Sequence, residues 1–293
     1  MSDYKIVTDS TSDLPFDVLQ DLDIGVVQLS YRICGKNFKD YVGNKRTQFL
    51  SEFYENLKNG EISQTSQLNP SQIVEFFEKF LKKGLDIIYI AFSSGLSGTY
   101  SSATIAYNEL VEKFPERKIK IIDSKCASLG EGLLVYEAVL NKKSGMNIDE
   151  LENWIENNKM NICHWVVMDD LKHLRRGGRI SGSSAFFGSL LNVKPIVYLS
   201  DDGKLVMATK KRGRKTAVNF LIEQMKNIAF TPIDKVFISH SQREEESYEI
   251  SNILKKEFNL KTVIISEIGT VIGSYTGVGT ISIFFRGKQR SIL

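Results

Sequence analysis

Apolar residues come in short blocks along this chain, and the spacing within each block predicts the element it forms. Residues 4–7, 85–92 and 119–122 are near-continuous runs of Ile, Val, Tyr and Phe, the pattern of strands covered on both faces in a parallel sheet. Each run feeds a polar loop and then a helix: Asp9-Ser10-Thr11-Ser12-Asp13 before a helix over 15–22, Ser93-Ser94-Gly95-Leu96-Ser97-Gly98, and Asp123-Ser124-Lys125-Cys126-Ala127-Ser128. Between the first two units the spacing predicts a strand over 25–31, a turn at Gly35 and two amphipathic helices. One covers 47–57 and presents Phe49, Leu50, Phe53, Tyr54 and Leu57; the other opens at Asn69-Pro70-Ser71-Gln72 and presents Ile73, Phe76, Phe77, Phe80 and Leu81. Both stripes read as core-facing.

After helices over 129–140 and 148–158 the grammar changes. A strand over 162–167, a short helix over 171–175 and a Gly177-Gly178 break lead into a hairpin, 193–199 and 205–209, turned by Ser200-Asp201-Asp202-Gly203. A helix over 215–226, a strand over 236–240, a helix over 244–258 and strands over 262–267 and 280–285 follow, with 268–279 read as a Gly-Thr-rich loop. The fold class expected is therefore α/β with two domains: a Rossmann-like parallel-sheet domain over 1–160 and an α+β domain with a mixed or antiparallel sheet over 161–293. A length of 293 residues, about twice an ordinary domain, agrees.

Composition narrows the function mainly by exclusion. The chain is 42% hydrophobic and 25% charged, with a net charge of +3, too little to argue for nucleic acid or an anionic membrane on balance alone. No apolar stretch reaches the roughly 18 residues a bilayer demands, and charge near the N-terminus is unlike a signal peptide, so a cytoplasmic location is expected. Three scattered cysteines offer neither a disulfide framework nor a zinc site, and the three histidines lack metal-ligand spacing, so no metal and no cofactor are expected.

What remains is a set of hydroxyl- and glycine-rich loops where strands end, the place where open α/β sheets bind ligands. In Ser93–Thr99 the hydroxyls of Ser94, Ser97 and Thr99, with close backbone approach at Gly98, suit an anion; Ser97 as a plain N-cap is the alternative. Thr65 lies in a polar linker, Ser63-Gln64-Thr65-Ser66-Gln67, and Arg175, Arg176 and Arg179 flank Gly177-Gly178 with guanidinium forks that match carboxylate or phosphate. The run Lys210-Lys211-Arg212-Gly213-Arg214-Lys215 has no interleaved aromatic residue to stack bases, so it reads as a partner-protein contact at least as well as a nucleic-acid patch. A serine hydrolase built from Ser97, His240 and Asp9 is a second reading that no spacing selects.

Taken together, Thr8-Asp9-Ser10-Thr11-Ser12-Asp13-Leu14-Pro15, Thr65-Ser66-Gln67, Ser93–Tyr100, Asp123-Ser124-Lys125, Gly177-Gly178-Arg179-Ile180 and the Gly-rich final loop resemble the DegV family, in order and across nearly the whole chain. The resemblance implies a non-catalytic carrier that encloses one long-chain fatty acid, such as palmitate, stearate or oleate, between its domains. It implies that the carrier meets a membrane surface transiently and presents the carboxylate to a separate ATP-using kinase subunit. By matching motifs, Thr65 and Ser97 would hydrogen-bond the carboxylate, with Ser94, Gly98 and Arg179 in the same site, and Arg212 would dock the partner. One position departs from the family: Tyr275 stands where members usually carry histidine, a phenol that donates a hydrogen bond but stays neutral. Phe186 and Phe187 are expected along the tail.

Overall fold

The computed structural model describes residues 3–181 and 192–291. Its first half opens with β1 (Tyr4–Asp9), α1 (Phe16–Asp21), β2 (Gly25–Val27), β3 (Ser30–Ile33), β4 (Lys36–Lys39), α2 (Arg46–Lys58), β5 (Gln64–Ser66) and α3 (Pro70–Leu81). It continues with β6 (Asp86–Ala91), α4 (Thr99–Lys113), β7 (Ile119–Asp123), α5 (Leu129–Lys143) and α6 (Ile148–Asn158). The second half holds β8 (Ile162–Val167), α7 (Lys172–Gly177), β9 (Ile180–Ser181), β10 (Val193–Leu199), β11 (Leu205–Arg212) and α8 (Arg214–Ile228), then β12 (Lys235–His240), α9 (Glu244–Glu257), β13 (Thr262–Glu267), α10 (Thr270–Thr276) and β14 (Ile281–Arg286).

The class is α/β. A four-stranded parallel sheet, β2-β1-β6-β7, carries the three predicted strand-to-loop units. A separate seven-stranded mixed sheet runs β13-β12-β14-β8-β10-β11-β9, parallel only at its β12–β13 and β11–β9 pairs. Helix α5 lies between the two sheets: its Leu129, Leu133, Leu134 and Val135 share one core with Ile88 and Ile90 of β6 and with Phe237 and Phe284 of the second sheet. A helix buried on nearly all sides has little amphipathic period, and ten of its residues are buried. The far face of the second sheet is covered by α8 and α9, which bury Trp165, Ile238 and Phe285.

Four sequence expectations change. The strand predicted over 25–31 breaks into β2 and β3, because Leu29 N–H donates to Ser10 Oγ at 3.1 Å and β3 leaves to join a small third sheet, β4-β3-β5. Within that sheet the supposed linker 63–67 forms a strand, with Thr65 paired to Tyr31. Phe49 lies off the buried face of α2 at 39% exposure and packs on Tyr41, while Leu50, Phe53, Tyr54 and Leu57 face inward.

The last correction bears most on function. The loop expected over 268–279 contains α10, seated in the first half of the molecule although it comes from the second. Asp40 Oδ1 accepts from Thr270 N–H and hydroxyl, Asp13 Oδ1 accepts from Gly269 N–H, Tyr54 donates to Ile268 O, and Ser63 bonds Ser274. Arg46 bridges the halves, donating to Asp13 at 3.0 Å and to Ser266 at 3.0 Å. Among the described residues no helix is long and apolar enough to cross a membrane.

Candidate ligand-binding site

Strand alternation builds one wall of a cavity between the two halves. Along β8, Cys163, Trp165 and Val167 enter the outer core, so His164 and Val166, with Met168 just beyond, face the cavity. Cross-strand neighbours extend this wall: Val197 and Ser282 beside Val166, and Phe284 opposite His164. The first half contributes Phe92, Leu96, Ala127 and Ser128; Ile268, just before α10, and Ile272, within it, complete the wall. The empty space among them is about 630 Å³ with open solvent counted, of which about 60 Å³ admits a water-sized sphere.

The wall differs along β8. His164 is 2% exposed, accepts from Ala127 N–H at Nε2 (3.1 Å) and uses Nδ1 to reach Ile162 O (3.1 Å). A carbonyl can only accept, so Nδ1 carries the proton and the ring is neutral. Burial, with Arg290 nearby, pushes its pKa well below the usual range. Two strand steps further along, roughly 13 Å, Met168 meets Leu174 and Tyr275, beside exposed Arg179.

Most of the candidate residues meet at this rim. Thr65 Oγ1 and Tyr275 Oη are 2.6 Å apart, and the Arg179 guanidinium sits 5.1 Å from the Tyr275 ring centroid. Arg179 Nε donates to Leu96 O at 3.1 Å, beside Ser97, whose hydroxyl accepts from Thr99 N–H and lies 3.0 Å from Thr99 Oγ1. A Cβ at Gly98 would meet the Gln67 side-chain amide, which follows Thr65 and Ser66 and would have to swing aside. Tyr275 and Arg179 thus line the cavity, while Thr65 and Ser97 adjoin it through Tyr275 and Leu96.

Other predicted residues lie elsewhere. Ser94 turns away from the rim: its N–H donates to Asp123 Oδ1 at 3.0 Å and Lys125 Nζ reaches its hydroxyl at 2.8 Å. Arg212 is exposed at the end of β11, seven residues or about 23 Å of strand from Leu205 in the tunnel wall. Nor is the surrounding basic run a uniform surface, since Arg214 binds Glu246 at 2.8 Å and Lys211 lies over the Phe220 ring at 4.5 Å. The imagined triad is not assembled by hydrogen bonds among the described residues. His240 Nδ1 accepts from Arg243 N–H, Ser97 bonds Thr99, and Asp9 accepts from Tyr89 hydroxyl and Phe92 N–H. Phe186 and Phe187 lie outside the described residues.

The sequence reading missed the tunnel wall itself and the buried carboxylates that brace it. Asp9 Oδ2 holds Phe92, a wall residue, by its N–H at 3.0 Å. Among the described residues Glu131 accepts only from the hydroxyls of Thr8 (2.6 Å) and Thr11 (3.0 Å), and burial together with the Asp9 charge raises its pKa well above the carboxylate range. The period-two pattern His164-Trp165-Val166-Val167-Met168 was the available signal for the wall. Which face was ligand-facing depended on strands far away in the chain.

A family model described as uncharacterised protein, DegV family COG1307, matches residues 3–288. A DegV domain-containing protein of Clostridium perfringens is 42% identical over 292 residues, covering 99% of each chain. The structure of a DegV family protein from Thermus thermophilus, reported with fatty acid binding, superposes with TM-score 0.86 at 28% identity, covering 97% of this chain and 99% of that one. The Bacillus subtilis DegV structure, described as a fatty acid binding protein, gives 0.81 at 29% identity over 98% of this chain and all of that one.

Proposed function

This chain belongs to the DegV family, and from that premise we propose that it binds one long-chain fatty acid, tail in the tunnel and carboxylate at the rim. The observation that carries the reading is an apolar cavity between the two halves with Tyr275 and Arg179 in its lining, Thr65 hydrogen-bonded to the one and Ser97 next to the Leu96 carbonyl that holds the other. Each buried methylene contributes about 0.8 kcal/mol, so the tail supplies most of the affinity and the rim sets orientation. Hydrogen bonds to a charged group contribute about 1.5–3 kcal/mol, which favours Thr65 and Ser97 as carboxylate donors. Gly98 shapes the loop rather than bonding the ligand, and Ser94 acts at one remove through Asp123.

On the same reading the protein is a cytoplasmic carrier rather than an enzyme. It takes its ligand from a membrane surface and offers the carboxylate to a separate subunit, which transfers phosphoryl from ATP to give the acyl phosphate and ADP. Arg212, exposed and far from the rim, would serve docking. Titration with palmitate or oleate tests the carboxylate assignment: Thr65→Ala combined with Ser97→Ala should weaken binding at least about tenfold with the thermal melt retained. Unchanged affinity would remove both residues from the head-group site.

A further inference from the structure

A second cleft opens outside the apolar cavity, at the carboxyl ends of β12 and β13, the edge where α/β sheets take ligands. About 610 Å³ of it admits a water-sized sphere, against about 60 Å³ in the apolar cavity, and its lining is mostly polar. It lies between α2 of the first half and the first turn of α9. His240 ends β12, and by strand alternation it points with Val236 and Ile238 to the α9 side. The residue is only 6% exposed; its Nδ1 accepts from Arg243 N–H, and Nε2 has no partner among the described residues and is not sealed in. The accepting Nδ1 leaves the proton on Nε2, a donor presented to the cleft. Burial, which lowers its pKa to about 4, keeps the ring neutral.

Around this donor the cleft is rich in acceptors. Glu267 stands opposite His240 across the strand pair and accepts from Gln242 at 2.8 Å. Glu244 and Glu245, in the first turn of α9, have no side-chain partner among the described residues. Arg243, the cation of the lining, is drawn to Asp169 at 3.0 Å. Three carboxylates repel an anion. Among the described residues no three His, Cys, Asp or Glu side chains are grouped to hold a metal ion. A simple ammonium would meet the Nε2–H and the positive end of α9. A hydroxyl group fits both sides, accepting from His240 and donating to a carboxylate. Tyr248, 53% exposed in the same lining, offers a flat apolar face to the C–H side of a ring. We propose that the cleft is a second binding site, separate from the fatty-acid site, and that it takes a neutral sugar or cyclic polyol. His240 donates to one hydroxyl, Glu267 and Glu244 accept from others, and Tyr248 packs on the ring.

The test follows the ring signals of the three histidines by NMR. The protein is titrated with glucose, galactose, mannose, N-acetylglucosamine and myo-inositol, and separately with spermidine, phosphate and magnesium. The signal lost in His240→Gln identifies the reporter. At least one neutral compound should move that signal saturably, with a dissociation constant in the millimolar range or tighter. Glu267→Gln removes a charged acceptor and should weaken that binding about tenfold, with palmitate affinity unchanged. Tyr248→Ala, at an exposed position, should weaken it as well. No saturable shift with any neutral compound overturns the site, as does a shift that both substitutions leave unaltered, or one that only spermidine, phosphate or magnesium produces. Each of these results is independent of whether the chain binds a fatty acid.

Discussion

Gly130 sits in the first turn of α5, where an added Cβ would run into Nε2 of His164. The ring cannot yield easily, held by Ala127 N–H, by Ile162 O and by an edge contact with Phe284 at 5.2 Å. Gly130→Ala should therefore cost about 1–3 kcal/mol in a denaturant melt; an unchanged midpoint would mean the packing around His164 is softer than described. His240, largely buried, is kept neutral, its pKa lowered to about 4 by burial. The unfolded chain takes up this proton below about pH 6.5 and the folded one only near 4, so stability falls as pH drops through that window. His164 acts in the same direction. Wild type should lose about 1 kcal/mol more between pH 7 and pH 5 than His240→Gln, after discounting for solvent at the ring; equal losses would show that His240 is not desolvated. Thr65, Ser97 and Arg179 were legible as donors from loop chemistry, and the structure sets Thr65 against Tyr275 and Arg179 against Leu96. Glu131 was not legible, because its burial is imposed by a sheet and a helix brought together only in the fold.

At the scale of elements, α10 joins the two halves. Gly273 and the β-branched residues in Thr270-Val271-Ile272-Gly273-Ser274-Tyr275-Thr276 are poor helix formers, so local propensity favours a loop and packing imposes the helix. Its N-terminal end is held by Asp13 and Asp40, its middle by Ser63, and Tyr275 near its end reaches Thr65 at the rim. Asp13→Ala would leave Arg46, Ser128 and Gly269 N–H without their acceptor in a buried setting, a loss of about 3 kcal/mol. Because α10 also sets Tyr275, ligand off-rate should rise in the same variant. A stability loss without a faster off-rate would separate the clasp from the rim. Helices with strong periodicity or caps needed no such context: α3 begins where Asn69 and Gln72 form a reciprocal capping box, as its sequence announces.

At the scale of the whole molecule, two sheets and the helix between them leave an apolar cavity, and the order of strands decides which residues line it. Parallel and mixed sheets were distinguishable from the run-like strands of the first half and the hairpin of the second. The cavity was not, because Phe92, Val166, Ile272 and Ser282 meet only through long-range register. The central claim is that this cavity holds one fatty acid. Mass spectrometry of an organic extract of the protein, purified without added lipid, tests it most directly. The account predicts a long-chain fatty acid at close to one per chain. A blank extract that stays blank after incubation with mixed fatty acids would contradict it.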